Sequence, residues 1–136
     1  MDLKYFLKDH KKKKVNVFYA ATESIRDDND KPVKWELKHL NSKDVDAIRM
    51  DSTTYDEDGN ESIADDFMAR ICAEAVVYPD LRSVELQDSY GVNDPVDLLY
   101  ALMDNPGEMM RLQTKVSEMN GFDIKLKDKI ETAKNS

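Results

Sequence analysis

Side chains that carry chemistry are scarce in this sequence. The 136 residues include one cysteine, two histidines, four glycines and four prolines. A lone cysteine cannot form an internal disulfide, which favours a reducing cytoplasm. Four glycines leave little material for a phosphate-binding loop, and no GxGxxG, GxxxxGK[ST], GxSxG or HExxH motif occurs. We therefore predict a protein that has no enzymatic activity and no cofactor.

The histidines and the cysteine do not form a recognisable site. His10 lies beside a lysine run and His39 follows a predicted strand, and neither has a second ligand at metal-binding spacing. Cys72 shares a helical face with Met68 and Ala75, so we expect it to be buried as a packing residue. The surrounding charge is acidic, which is the reverse of the setting that activates a thiolate. We predict no metal site and no nucleophile.

One segment, Thr54–Asp65, has some features of a calcium loop. Counted as twelve positions, it places Asp56 at position 3, Asp58 at position 5 and Gly59 at position 6. Position 1 is a threonine and position 12 is an aspartate instead of the bidentate glutamate, so both anchoring ligands are wrong. An exposed acidic turn before a helix explains the same residues, and a calcium-responsive binding module is the lesser alternative.

The charge distribution argues against nucleic acid and membrane as partners. The net charge is −8, and residues 42–104 hold sixteen acidic side chains against four basic ones. Such a surface repels phosphate, and no basic stripe with interleaved aromatics offsets it. No run of about 18 apolar residues occurs, and the first residues lack the apolar stretch of a secretory signal. We expect a soluble cytoplasmic protein whose lysine run at 11–14 is solvated or docks on an acidic surface.

The first third of the chain predicts a β-hairpin. Leu3, Phe6 and Leu7 have the spacing of a short amphipathic helix. Residues 15–19 and 33–37 then alternate apolar and polar side chains on either side of a polar turn, which is typical of two paired strands with one apolar face. An isolated hairpin is marginal in water, so we expect the hairpin at about 15–40 to pack on other elements.

The remainder, about 42–134, predicts short helices. Ser42 is a candidate cap for the first, and a polar loop follows from Ser52 to Glu61. The predicted caps and breakpoints of the later helices are Ser62 and Pro79, Ser83 and Gly91, Asp94-Pro95, Asn105-Pro106, Asn120-Gly121, and a last helix at 123–134. The predicted fold is α+β and mainly helical, with the hairpin packed against a bundle of short helices in one domain, 1–136.

Methionines mark a candidate binding surface. Met109 and Met110 are adjacent on a predicted helix, where neighbours diverge by about 100°, so at least one should reach the surface. Flexible thioethers suit a surface that adapts to a partner. We predict that two side-by-side helices, from Leu98 to Met119, offer a groove to a third helix. The predicted partner-binding residues are Leu98, Leu102, Met103, Met109 and Met110, with core packing as the alternative for each.

Several segments lie in a distinctive order along the chain. They are Leu3–Lys8, Val15–Leu40 with Lys34–Leu37 in its second strand, Ala75–Leu81, Glu85–Val92, Asp94-Pro95, Leu98-Leu99, Pro106–Glu108 and Val116–Asp123. Each alone is only a breakpoint beside apolar residues, but together they resemble the XkdN-like family of phage tail assembly chaperones, from tailed phages and defective prophages of Gram-positive bacteria. Residues 100–104 depart from the family pattern by having fewer aliphatic side chains, and the acidic turn at 56–58 looks variable.

The resemblance implies a function without catalysis. Such chaperones bind the long, helical tape measure protein, keep it soluble until the tail tube polymerises around it, and are absent from the finished particle. The tail tube protein is a second candidate partner, and self-association is left open. The rival interpretation is a structural tail or head–tail joining protein that stays in the virion.

Overall fold

The computed structural model describes residues 2–122, which include five short α-helices and five short strands. The predicted α+β class is confirmed. The predicted helix at 123–134 lies outside the described residues, and the single domain over 1–136 stays a prediction. In chain order the elements are β1 (Val17–Tyr19), β2 (Trp35–Leu37), α1 (Ser42–Asp51), β3 (Thr53–Tyr55), β4 (Glu61–Ile63), α2 (Phe67–Ala75), β5 (Val76–Tyr78), α3 (Val84–Ser89), α4 (Pro95–Leu102) and α5 (Pro106–Met119).

The predicted N-terminal hairpin is present and forms part of a three-stranded antiparallel sheet. β1 pairs with β2 so that Val17 faces Leu37 and Tyr19 faces Trp35. The alternation predicted from the sequence holds in β2, where Trp35 and Leu37 are buried. β2 lies at the centre of the sheet because β5 pairs with its other edge.

Strand β5 corrects the predicted extent of the most apolar helix. The sequence favours a helix from Ser62 through Val76 to Pro79, whereas α2 begins at Phe67 and ends at Ala75. Val76 instead pairs with Leu37 in the sheet. A β-branched residue suits a pleated, half-buried surface, and the open edge of β2 supplies the ladder that periodicity alone does not reveal.

The structure also corrects the prediction of a polar loop from Ser52 to Glu61. Most of this segment belongs to a second hairpin. β3 pairs with β4 in the register Thr53–Ile63 and Tyr55–Glu61. The Asp56 carboxylate closes the turn by accepting the backbone N–H groups of Asp58 and Asn60, both at 2.9 Å. Almost every residue in the hairpin is exposed, so no alternation of apolar and polar residues marks its strands.

Two smaller predictions are wrong, one about the short N-terminal helix and one about the residue that caps α1. The residues from Leu3 to His10 form two 3-10 turns with no buried side chain, because a single helical turn is unstable without a covering partner. Asn41, and not Ser42, caps α1: its side-chain oxygen accepts the N–H of Asp44 at 2.8 Å.

Helix α2 lies at the centre of the core. Five of its nine residues are buried, and the helix packs on α1, α4, α5 and β5. Trp35 and Leu37 enter the same apolar cluster from the sheet, as do Leu112 and Val116 from α5. No helix within residues 2–122 has the length and apolar character needed to cross a bilayer.

The predicted breakpoints of the last three helices are confirmed. Ser83 caps α3, and Gly91 follows it with a positive φ of 68°. Gly121, with φ of 76°, takes the left-handed conformation after α5, and Phe122 packs against the core as predicted. The side chain of Asn120 accepts the N–H of Leu40 at 2.8 Å, which ties the end of α5 to the chain that leaves β2.

Candidate functional site

Two helices with the same start signal meet at a sharp corner. Asp94 and Asn105 are the N-caps of α4 and α5, and their side chains accept the N–H groups of Asp97 at 2.9 Å and Glu108 at 3.0 Å. A proline follows each cap, where its missing N–H and fixed φ cost nothing. Only residues 103–105 separate the helices, so the end of α4 lies beside the start of α5.

A buried carboxylate holds this corner in place. Glu108 is almost completely buried, and its side chain accepts the N–H of Asp104 at 2.7 Å and the N–H of Glu23 at 3.2 Å. Asp104 in turn accepts the hydroxyls of Thr22, at 3.0 Å, and Ser24. The corner is therefore fastened to the chain that leaves β1, and its geometry does not depend on α4 and α5 alone.

The Asp104 carboxylate titrates below its ordinary range. The Ser24 hydroxyl lowers the pKa of Asp104 most, desolvation opposes the shift, and the Thr22 hydroxyl adds to the lowering. Asp104 is therefore ionised at neutral pH and accepts both hydroxyls as a carboxylate.

An apolar groove opens at the corner. It has a volume of about 390 Å³ and is lined by Tyr100, Met103, Asp104, Asn105, Pro106, Met109, Met110 and Gln113. We call this set the groove. Met110 forms an exposed wall with 66% of its surface accessible, whereas Met109 contributes a nearly buried floor with 6% accessible. The adjacent methionines thus diverge, as helix geometry predicts.

The five predicted partner-binding residues fall into two groups. Met103, Met109 and Met110 come together in the groove. Leu98 and Leu102 do not line it, because both are buried in the apolar cluster beneath α4. These two leucines support the groove from within the core, and contact between any of the five residues and a partner stays a prediction.

Three features of the site were missed in the sequence. Tyr100 lies three residues before Met103, and Gln113 lies three residues after Met110, so i, i+3 spacing from the methionines would have found both. Glu108 follows its cap Asn105 by three residues, which is the spacing of a capping box. In the folded chain its carboxylate bonds the N–H of Asp104, one residue before the cap.

The other candidates for chemistry do not assemble. Burial raises the pKa of the Cys72 thiol to about 12, so it is protonated at neutral pH. Within residues 2–122, no three His, Cys, Asp or Glu side chains converge to hold a metal ion. In Thr54–Asp65, the segment with some features of a calcium loop, the Asp56 carboxylate already accepts three hydrogen bonds from Asp58 and Asn60, and these lower its pKa.

Comparison with known proteins gives a consistent result over the chain. The family model described as phage XkdN-like tail assembly chaperone protein matches residues 3–134. The phage-like element PBSX protein XkdN of Bacillus subtilis (strain 168) is 27% identical, with 98% of this chain and 94% of that protein covered. YqbN of the same strain is 29% identical, over 98% of this chain and 93% of its own length. The crystal structure of YqbN superposes with a TM-score of 0.77 at 25% identity, covering 90% of this chain and 98% of that one.

Proposed function

Because the chain belongs to the XkdN-like family of phage tail assembly chaperones, we propose that it binds the tape measure protein through the groove and keeps it soluble until the tail tube assembles. The observation that carries this proposal is the exposed, methionine-lined groove on a fixed base. The family supports the general role in tail assembly, and the groove is the surface that we assign to that role. In this proposal the protein acts in the host cytoplasm, without catalysis, and leaves before the particle is complete.

The groove suits one side of an amphipathic helix. Three methionines and a tyrosine give it an apolar lining beside the polar side chains of Asp104, Asn105 and Gln113, and thioethers adapt to many apolar shapes without a fixed hydrogen-bond pattern. A helix that inserts one or two anchors at i, i+3 or i+4 spacing would fill a groove of this size. A long helical protein repeats such anchors, so one adaptable groove can engage many of its segments.

The base of the groove is built to stay in place. Met109 rests on the core, and the carboxylate of Glu108 fixes the turn that carries Met103. The chaperone then loses little conformational entropy on binding, because only exposed side chains such as Met110 have to become ordered. The rigid base and mobile wall together favour broad recognition of apolar helices.

The test is co-expression with the tape measure protein from the same phage or prophage. Met110→Lys places a charge in the groove wall without touching the core, so we expect the tape measure protein to move from the soluble to the insoluble fraction. The matched control is Met50→Lys. Met50 is a comparably exposed methionine, 74% accessible, on α1 and outside the groove.

Folding is checked separately for each variant. Neither substitution is at a buried position, so both proteins should unfold within about 0.5 kcal/mol of the wild type. If Met110→Lys folds normally and still keeps the tape measure protein soluble, the groove is not the binding surface. If mass spectrometry finds the protein in purified particles, the protein is a structural component of the tail and not a chaperone that leaves before the particle is complete.

A further inference from the structure

The groove carries a charge at one side chain. Of the eight described residues that line it, Asp104 is the only charged one. Asp104 lies in the turn between α4 and α5 and is exposed, and its lowered pKa keeps it ionised at neutral pH. A helix that covers the three methionines of the groove would therefore lie beside a negative charge.

This charge has no counter-ion within the described chain. The seven ion pairs in residues 2–122 do not include Asp104. No lysine or arginine occurs between residues 94 and 108. The next basic residue, Arg111, lines a separate cleft between β1 and α5 and does not line the groove. A cation at the groove would have to come from a partner.

The Asp104 carboxylate is held in place but is not saturated. The Thr22 hydroxyl donates to its Oδ2 atom, and the Ser24 hydroxyl donates to its Oδ1 atom. An ionised carboxylate offers about four lone-pair sites, so each oxygen can accept a further hydrogen bond. The two hydroxyls therefore orient Asp104 and leave it able to accept a donor from another molecule.

The helix ends at the corner add to the preference for a cation. The C-terminal end of a helix carries a partial negative charge, and α4 has no basic residue in its last turn. The N-terminal end of α5 carries the opposite partial charge, but Glu108 lies in its first turn and the Asn105 side chain caps it. The positive helix end is thus complemented within the chain, whereas the negative helix end is not.

We propose, resting on the function assigned to the groove, that the helix it binds carries a lysine or arginine beside its apolar anchors, and that Asp104 selects this helix. The anchors cover Met103, Met109 and Met110, and the ammonium or guanidinium group donates to the free lone pairs of the Asp104 carboxylate. Hydrogen bonds between two charged groups are shorter and stronger than those between neutral groups. The contact therefore adds orientation to an otherwise adaptable apolar surface.

Two other kinds of helix fit the groove less well. A helix with glutamate beside its anchors would bring two carboxylates together, and like charges across an interface are repulsive. A helix with no charge there would take water away from Asp104 without replacing it by a donor, and a desolvated charge without a partner is costly. A helix with a basic residue at this point meets both the apolar lining and the charge.

The test uses the full chain and three labelled synthetic peptides, with binding followed by fluorescence anisotropy. Each peptide has leucines at i, i+3, i+4 and i+7 on one face of a helix. They differ only in the two residues that flank the leucines, which are lysine, glutamine or glutamate. At an ionic strength of about 20 mM, the lysine peptide should bind about threefold more tightly than the glutamine peptide. It should bind about tenfold more tightly than the glutamate peptide.

A substitution at Asp104 assigns this preference to its charge. Asp104→Asn keeps the size of the side chain and one acceptor oxygen, so it should bind the lysine and glutamine peptides within about twofold of each other. The matched control is Asp88→Asn, which makes the same change in charge at an exposed residue outside the groove. This control should keep the threefold preference. Raising the ionic strength to about 0.5 M should reduce the preference in the wild type.

The outcomes separate this proposal from the function on which it rests. Met110→Lys should weaken the binding of all three peptides, which locates them in the groove. If the wild type binds the three peptides equally, or prefers glutamate, charge selection is overturned and the groove remains a binding surface. If none of them binds, both are overturned. The wild-type comparison is decisive even if Asp104→Asn folds poorly.

Titration of the lysine peptide into the wild type at two protein concentrations tests for another occupant of the groove. We expect the same affinity at both concentrations. If a second copy of the chain occupied the groove, the apparent affinity would fall as the protein concentration rises. That result would overturn the proposal, and so would a lysine preference that Asp104→Asn retains in full.

Discussion

The α4–α5 corner and the β3–β4 hairpin Thr53–Ile63, which we call the acidic hairpin, are both turns at the surface, but they are held in different ways. The corner rests on Leu98 and Leu102 in the core, and Glu108 fastens it to a distant segment of the chain. The acidic hairpin is held by its own ladder and by Asp56, with the N–H of Ala64 donating to Ser52 at 2.7 Å where the hairpin closes. Long-range contacts hold the corner in a fixed shape, whereas a hairpin held by short-range contacts can move by itself.

The difference has an energetic consequence. A residue that packs in the core shares its stability with the whole molecule, whereas a hairpin held by local hydrogen bonds opens at a small free-energy cost. Substitutions in the corner should therefore lower the free energy of global unfolding, and equivalent substitutions in the hairpin should leave it nearly unchanged.

The largest expected effect comes from the apolar support of the corner. Leu98→Ala should lower the free energy of unfolding by about 2–5 kcal/mol, because it leaves a cavity in the core. Ile63→Ala, at a side chain 45% exposed in the hairpin, should cost about 0.5 kcal/mol or less. Urea unfolding followed by circular dichroism measures both values. Equal losses would show that the two regions are anchored alike.

A smaller effect is expected from the buried carboxylate. Glu108→Leu removes the acceptor of two backbone N–H groups, which should cost about 1–3 kcal/mol of folding stability. Glu108→Gln keeps one acceptor oxygen and should cost less. The hairpin counterpart Glu57→Leu should lie within about 0.5 kcal/mol of the wild type in the same unfolding assay. If Glu108→Leu left the free energy of unfolding unchanged, the buried carboxylate would not hold the base of the groove in place.

The smallest effect is a pH dependence at Asp104. Its pKa is lowered on folding, so its ionised form stabilises the native state above the unfolded-state pKa of about 3.9, and this stabilisation is lost as pH falls through the lower folded-state pKa. The gap in melting temperature between wild type and Asp104→Asn should therefore be present at pH 7 and narrow below pH ~4.

Asp56 gives the matching measurement in the hairpin. Its pKa is also lowered, chiefly by the backbone N–H of Asn60. Because we expect a hairpin held by local hydrogen bonds to open before the molecule unfolds, Asp56→Asn should change the pH dependence of melting less than Asp104→Asn does. If the difference in melting temperature between the wild type and Asp104→Asn did not change with pH, the role assigned to the Ser24 and Thr22 hydroxyls would be contradicted.

The same contrast explains what the sequence predicts and what it does not. The caps at Asp94 and Asn105 and the exit at Gly121 are decided by neighbouring residues, so local patterns identify them. The strand at Val76–Tyr78 depends on an edge of β2 some forty residues earlier, and helical periodicity continues past Ala75 without showing the change. The acidic hairpin buries almost nothing, so its strands have no apolar face to detect.

The candidate site follows the same rule. Helix geometry requires Met109 and Met110 to diverge, but which one faces the core depends on where α2 packs against α5. The burial of Glu108 depends on the N–H of Glu23, 85 residues away, and no local pattern contains that contact.

Crosslinking in cells tests the groove most directly. A photoactivatable amino acid at position 110, in cells that also make the tape measure protein, should yield a crosslinked product that contains both chains. The same residue at position 50, which is comparably exposed on α1, should yield little or none. Crosslinking at 110 that is no stronger than at 50 would contradict the assignment of the groove as the surface that binds the tape measure protein.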